Sequence, residues 1–300
     1  MALTITSSTY AGENAGEWIK AAIQTLSSFD HITIKDNIQE KRVVQKLTTT
    51  ATFVDDACSF SASGSVTTNE RVLEPKRIML NDTICPDGFY ADWAGVERGV
   101  SVHDGAELPP TFEEFLIADY LDRLASHVET KIWQGASATA GEWEGFSSLF
   151  AADGDVNDVS TPVTLTESVI VDEMERLLDV MPSAVLDASE KPKIYVNGNT
   201  ARLYRRKMSS LGYLDQYYAA EVPMNFEGYE LAICNGIADD KMYCAQPSNL
   251  WFGTGLLSDH NEIKLLPQAD VTGAKDVNIV IRFSGGCQHG IGGDIGAYNA

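Results

Sequence analysis

Between Thr111 and Gly135 the apolar residues fall at Phe112, Phe115, Leu116, Tyr120, Leu121, Leu124, Val128, Ile132 and Trp133. That three-and-four spacing predicts one amphipathic helix, with Asp119, Asp122, Arg123, Ser126, His127 and Thr130 on its other side. Pro109 and Pro110 precede Thr111, an N-cap that pairs with Glu114 in a capping box, and Gly135 suits a left-handed C-cap. At 1.5 Å per residue such a helix spans roughly 36 Å, the width of a small domain. It reads as the spine of a chain otherwise rich in strand.

Upstream, residues 1–14 are small and polar and predict a mobile arm. Trp18, Ile19, Ala22, Ile23 and Leu26 then mark one face of a helix too short to stand alone, which needs a surface that another subunit can supply. From Lys41 to Leu80 the period changes to that of strands. Val43, Leu47, Thr49, Ala51 and Phe53 form an outgoing arm, and Ser65 to Thr68 with Val72 and Leu73 form its return; Asp55, Asp56 and Gly64 supply turn chemistry. A long two-stranded hairpin so poor in large side chains cannot bury itself, and is expected to be covered by a partner or to sway.

Downstream of the spine, residues 141–150 predict a turn that packs Trp143 and Phe146 onto the core, and residues 151–162 are an Asp-, Asn- and Ser-rich boundary. Helices are predicted from Thr166 to Met181, stopped by Pro182, and from Asn199 to Leu211. Strands are predicted from Lys193 to Val196, Tyr229 to Cys234, Met242 to Ala245 and Leu250 to Phe252. Glu262 to Leu266 and Val277 to Phe283 are strands returning to the spine, followed by a glycine-rich tail. The plan is α+β: helix on sheet, with one compact insertion and two extensions.

Charge sharpens this picture. Among 300 residues, 22 basic against 43 acidic side chains give a net charge of −21, which disfavours binding of nucleic acid through phosphates and suits a wall lying beside it without adhering. Lys41, Arg42, Lys46, Arg71, Lys76 and Arg77 make the hairpin the basic part of this acidic chain, either as a solvated edge guarded by charge or as a dock for an acidic neighbour. An apolar content of 44% is ample for a core. No apolar run reaches membrane-spanning length, and no leader is expected from the first ten residues. Five scattered cysteines fit buried thiols in a reduced setting.

Candidate chemistry is thin. The loop from Asp153 to Asp158 begins like a calcium loop but lacks the sixth-position glycine and ends at Thr164 in place of a bidentate Glu. Cys287 and His289 have no second pair at metal spacing. Gly290 and Gly292 are followed by Ile295 where a dinucleotide loop needs glycine, and Asn197-Gly198-Asn199 lacks a phosphate-loop lysine. No catalytic constellation is legible, and no cofactor, metal or enzymatic activity is expected.

The order of elements, together with Ala57-Cys58-Ser59-Phe60, Gly64-Ser65-Val66, Glu70 to Lys76, Phe112 to Leu116, Ile132 to Gly135, Gly145-Phe146 and Ser248 to Thr254 with Ser258-Asp259, resembles the major capsid proteins of tailed bacteriophages, the Hong Kong 97-type fold. That resemblance implies an N-terminal arm (1–37), an extended β-hairpin loop (38–84), a peripheral domain (85–160) carrying the spine helix (111–134), an inserted axial domain (161–261) and returning peripheral strands (262–300). It implies self-assembly as hexamers and pentamers into an icosahedral shell around double-stranded DNA, in a virion built in the bacterial cytoplasm, with no membrane and with possible separate scaffolding, portal and decoration proteins. Trp18, Lys46, Arg71, Glu74 and Lys76 are then the expected inter-subunit contacts. Relatives with a long N-terminal scaffolding segment differ from this chain, and the lysine–asparagine cross-linking of some relatives finds no identifiable partner residues here. An encapsulin-like compartment shares the fold; a soluble acidic hydrolase is the alternative from another class.

Overall fold

The spine forms where its periodicity places it: α1 runs Thr111–Gln134. Ile117, Tyr120, Leu121, Leu124, Val128, Ile132 and Trp133 are all buried along one side. The computed structural model describes residues 8–11, 26–38, 40–51, 53, 64–84, 111–212, 224–255, 262–268 and 276–299, and the structural statements below concern these. The arm helix with Trp18, the aromatic connection at Phe89 to Trp93, and the side chains of Thr111 and Glu114 lie outside what is described. Gly135 does not take the left-handed conformation expected of it; its N–H donates to the Lys131 carbonyl at 3.2 Å, and a Cβ there would lie 2.4 Å from the Trp143 carbonyl oxygen.

In chain order the remaining helices are α2 (Phe146–Ala152), α3 (Ile170–Asp179), α4 (Ser183–Leu186) and α5 (Gly198–Ser210). The strands are β1 (Ser8–Ala11), β2 (Thr33–Lys35), β3 (Arg42–Ala51), β4 (Gly64–Leu73), β5 (Lys76–Ile84), β6 (Asn157–Asp158) and β7 (Lys193–Val196). They continue as β8 (Asn225–Phe226), β9 (Tyr229–Ile233), β10 (Lys241–Ala245), β11 (Leu250–Thr254), β12 (Glu262–Pro267), β13 (Val277–His289) and β14 (Gly296–Asn299). The first sheet is ordered β1-β12-β13-β11-β2, with β5 also paired to β13. The second is ordered β6-β14-β10-β7-β9-β8, and β3 pairs only with β4.

Strand alternation explains how the second sheet serves two cores. Tyr195, Ala232, Tyr243 and Ala297 join the core around α1, while Ile194, Val196, Leu231, Met242 and Tyr298 face a second core with Ile170, Met174, Leu177, Ala201 and Tyr204 from α3 and α5. The sheet is therefore a layer between the spine and an outer pair of helices. Trp133 is the main joint: fully buried, it stacks on Tyr243 at 5.7 Å and touches Phe146 and Tyr195 at 5.3 and 5.4 Å.

Several sequence expectations shift. The glycine-rich tail is no tail: β13 runs through Gly285, Gly286 and Cys287 to His289 at the centre of the first sheet. Glycine is needed there because a Cβ on Gly285 would sit 3.0 Å from the Trp143 ring, and one on Gly286 2.8 Å from the Glu74 carbonyl oxygen. β14, expected among the peripheral strands, instead enters the second sheet between β10 and β6. β11, within the expected axial range, pairs with β13 and β2 of the first sheet. β5, within the expected loop range, pairs with β13 over nine residues, so the free hairpin ends at Leu73. α3 starts at Ile170, after a turn in which the N–H groups of Val169 and Ile170 donate to the Thr166 carbonyl. α2 and α4 were not anticipated, being too short to show a period.

Candidate assembly surface

The hairpin β3–β4 makes ten cross-strand pairs, from Arg42 opposite Leu73 to Ala51 opposite Gly64. Register and alternation put Val43, Gln45, Val66, Glu70 and Val72 on one face. That face lies open: Val43 is 50% and Val66 62% exposed, and Phe53 beyond the last pair is entirely so. Val43 and Val72 stand directly opposite each other, with a Gln45–Glu70 side-chain contact next in line at 3.5 Å.

The root of the hairpin is held firmly. Leu73 is fully buried, and Gly253 leaves the room that its side chain and that of Ile38 occupy. Gln288 donates from Nε2 to the Val72 carbonyl at 3.1 Å. The Arg71 guanidinium pairs with the Asp153 carboxylate, which also accepts from His289 Nε2 at 2.7 Å. His289 is buried edge-on against Phe150, with ring centroids 5.4 Å apart. Burial alone would raise the Asp153 carboxyl, but the His289 hydrogen bond, the Asp155 N–H and Arg71 outweigh it and hold its pKa below the usual carboxylate range. Burial lowers the His289 pKa, and Arg71 adds to the lowering against the pull of Asp153. A carboxylate can only accept, so the neutral imidazole carries its proton on Nε2 and leaves a bare, unpartnered Nδ1 in the interior.

Acid should therefore loosen this root. Below the ordinary histidine value of 6.5 the unfolded chain takes up a proton at position 289 that the folded chain refuses, so stability falls as pH drops. Asp153 adds stability above its ordinary 3.8, lost as pH falls through its lower folded value. In His289→Gln, whose amide can still donate to Asp153, the slope of unfolding free energy against pH between about 6.5 and 5 is expected to flatten by up to about 1.4 kcal/mol per pH unit. His31, lowered by burial and by Lys193, keeps a residual slope. Denaturant melts across pH check this; an unchanged slope would mean that His289 titrates normally.

The sequence-derived contact residues are placed as follows. Arg71 has its partner within its own chain. Glu74 pairs with Lys41 at 2.8 Å on the open surface. Lys76 donates from Nζ to the carbonyls of Ser137 and Thr139 at 3.1 and 3.4 Å. Lys46 pairs by backbone with Asn69, while its side chain and all of Trp18 lie outside what is described. Asp153, read from sequence as the start of a loop resembling a calcium site, is engaged by Arg71 and His289, and no three metal-ligating side chains gather among the described residues.

A second polar hub was missed. Glu129 is buried on α1 and accepts from Ser27 Oγ, Ser28 Oγ, Ser28 N and Gly236 N at 2.9, 2.6, 3.2 and 3.2 Å. Trp133 Nε1 donates to Ser28 Oγ at 2.8 Å, completing the network. It binds the spine to the turn at Ser27–Asp30 and to the loop after β9. A glutamate four residues from Ala125, inside the apolar stripe, was the available signal.

The described residues form one hydrophobic core around a spine helix, a second under an outer helical layer, and an open hairpin anchored at its root. This is the fold of tailed-phage capsid proteins. The capsid of an empty GTA particle matches with a TM-score of 0.64 at 11% identity over 91% of this chain and 95% of that one. The satellite phage P4 procapsid including size determination (Sid) protein matches at 0.58 and 10%, over 94% and 97%. A virus-like particle from Pyrococcus furiosus matches at 0.52 and 10%, over 96% and 99%. No family model and no curated protein matches the sequence.

Proposed function

We propose that this chain is a structural major capsid protein that assembles into an icosahedral shell enclosing phage double-stranded DNA. The observation that carries the proposal is the hairpin: ten paired residues per strand, apolar side chains in the open, and, among the described residues, its tertiary anchors at its root. Two strands alone are marginal in water, so such an excursion is useful where a neighbour covers it. The hairpin then acts as the extended loop, the layers around α1 as the peripheral domain and the unit under α3 and α5 as the axial domain. Hexamers and pentamers are the building blocks, with Lys46, Arg71, Glu74, Lys76 and Trp18 toward neighbouring subunits and with separate scaffolding, portal and decoration proteins as partners. The net charge of −21 supports a wall that encloses DNA without sequence-specific binding. Among the described residues no helix is long and apolar enough to cross a membrane. We assign no catalytic step; the shell forms in the host cytoplasm and ends as the virion capsid.

Electron microscopy of purified protein, alone and co-expressed with its genomic neighbours, is the test. Closed shells with DNA support the proposal, shells filled with protein favour a cargo compartment, and a strictly monomeric chain under all conditions overturns both.

A further inference from the structure

The outer layer of the second sheet consists of α3 and α5, packed side by side. α3 lies over β10 and β14, and α5 over β9, so the two helices sit toward opposite edges of the sheet. Their solvent faces carry opposite charge. On α3, Asp172, Glu175 and Asp179 are exposed and fall within roughly 60° of arc. On α5, Arg202, Arg205 and Arg206 are exposed and fall within roughly 100°. None of the six is ion-paired with another described residue: Arg202 reaches Asn199, and Arg205 the sulfur of Met224. In a chain this acidic, three arginines within five residues without a carboxylate partner among the described residues are a concentrated exception.

We propose that the arginine face of α5 in one copy docks on the acidic face of α3 in the next copy, head to tail around a capsomer ring. This rests on the capsid assignment above and names the contact within it. A unit that carries two unlike, mutually complementary patches makes a heterologous contact with its copy, and such contacts close into rings when the rotation allows. DNA would match the arginines but be repelled by the acidic stripe beside them, whereas a second copy answers both. Exposed charges of this kind set orientation and encounter rate, and salt screens them.

The test uses full-length chain with wild type in parallel. One variant carries Arg202→Glu and Arg206→Glu; the other carries Glu175→Lys and Asp179→Lys. Each alone is expected to melt like wild type yet lose capsomers at least about tenfold by sedimentation at about 50 mM salt. Co-expressed, they should recover six-membered rings, in which unlike copies alternate. Five-membered rings cannot alternate, so closed shells should stay below wild type. Wild-type yields from either variant alone, or no recovery in the mixture, would overturn the contact. Normal shells that retain less DNA would overturn it too, and would give the arginines to nucleic acid. Should the reversals melt low, the neutral pair Arg202→Gln and Arg206→Gln is expected to lose capsomers at low salt; full assembly would overturn the contact. If wild type itself never assembles, it is the capsid assignment that fails.

Discussion

Replacing residues 46–69 with a two-residue Gly-containing turn will leave the subunit folded and abolish closed shells. The cut joins Gln45 to Glu70, which already stand opposite each other, so the turn inherits a proper register. The described contacts that tie the hairpin to its own chain survive: Leu73 in the core, Gln288 on Val72, and Arg71 on Asp153. Of the described side chains removed, Val66 and Phe53 are exposed and none belongs to either core. The cost to the monomer should stay under about 1 kcal/mol, a melting shift of no more than about 4 °C. Between subunits the loss is multiplied, because every copy surrenders the same contact, and each 1.4 kcal/mol lost is about tenfold in association. Thermal melts of the monomer beside particle yields decide it. A large drop in melting temperature would make the hairpin part of the subunit's own core, and undiminished shells would deny it any role between copies.

Trp133→Ala will do the reverse, destroying the subunit before assembly can be asked about. The side chain is fully buried at the meeting point of α1, α2 and the second sheet, and its Nε1 completes the Ser28–Glu129 network. Truncating a buried Trp costs about 3–5 kcal/mol through lost transfer energy and the cavity left behind. Leaving the Ser28 hydroxyl with one donor fewer adds to that. Against a typical total of about 5–15 kcal/mol, this brings most of the chain to the edge of unfolding. Soluble yield and the denaturation midpoint measure it, and Trp133→Phe, which refills much of the space, should recover part of the loss. A variant with wild-type midpoint would mean that the two layers are held together elsewhere.

Local signals carried the local elements. The spine, the hairpin with its exposed face, β7 and most later strands follow from period and turn chemistry, because those are decided by residues a few positions apart. What stayed hidden depends on sequence-distant meetings. Nothing near Gly285 announces that Trp143 and Phe252 crowd it, so a central strand looked like a loose tail. Nothing near Asp153 announces Arg71 and His289, so a structural anchor looked like a polar linker or a weak ion loop. Glu129 was legible in principle, as a charge in an apolar stripe. The residues expected between subunits gained in-chain partners at Arg71, Glu74 and Lys76, while the α3 and α5 faces escaped notice because charge on a helix surface is ordinary until a sheet sets two helices side by side.

The position of β14 also sets a clock. Tyr298 is buried in the second core, and its strand fills the gap between β10 and β6, whose own residues precede it by about sixty and about one hundred and forty positions. A ribosome must have passed Asn299 before that sheet can close. Until then β10 offers an open edge and α3 has only part of the surface it packs on. The second sheet of a nascent chain therefore stays open until synthesis has passed β14, however early its other strands emerge.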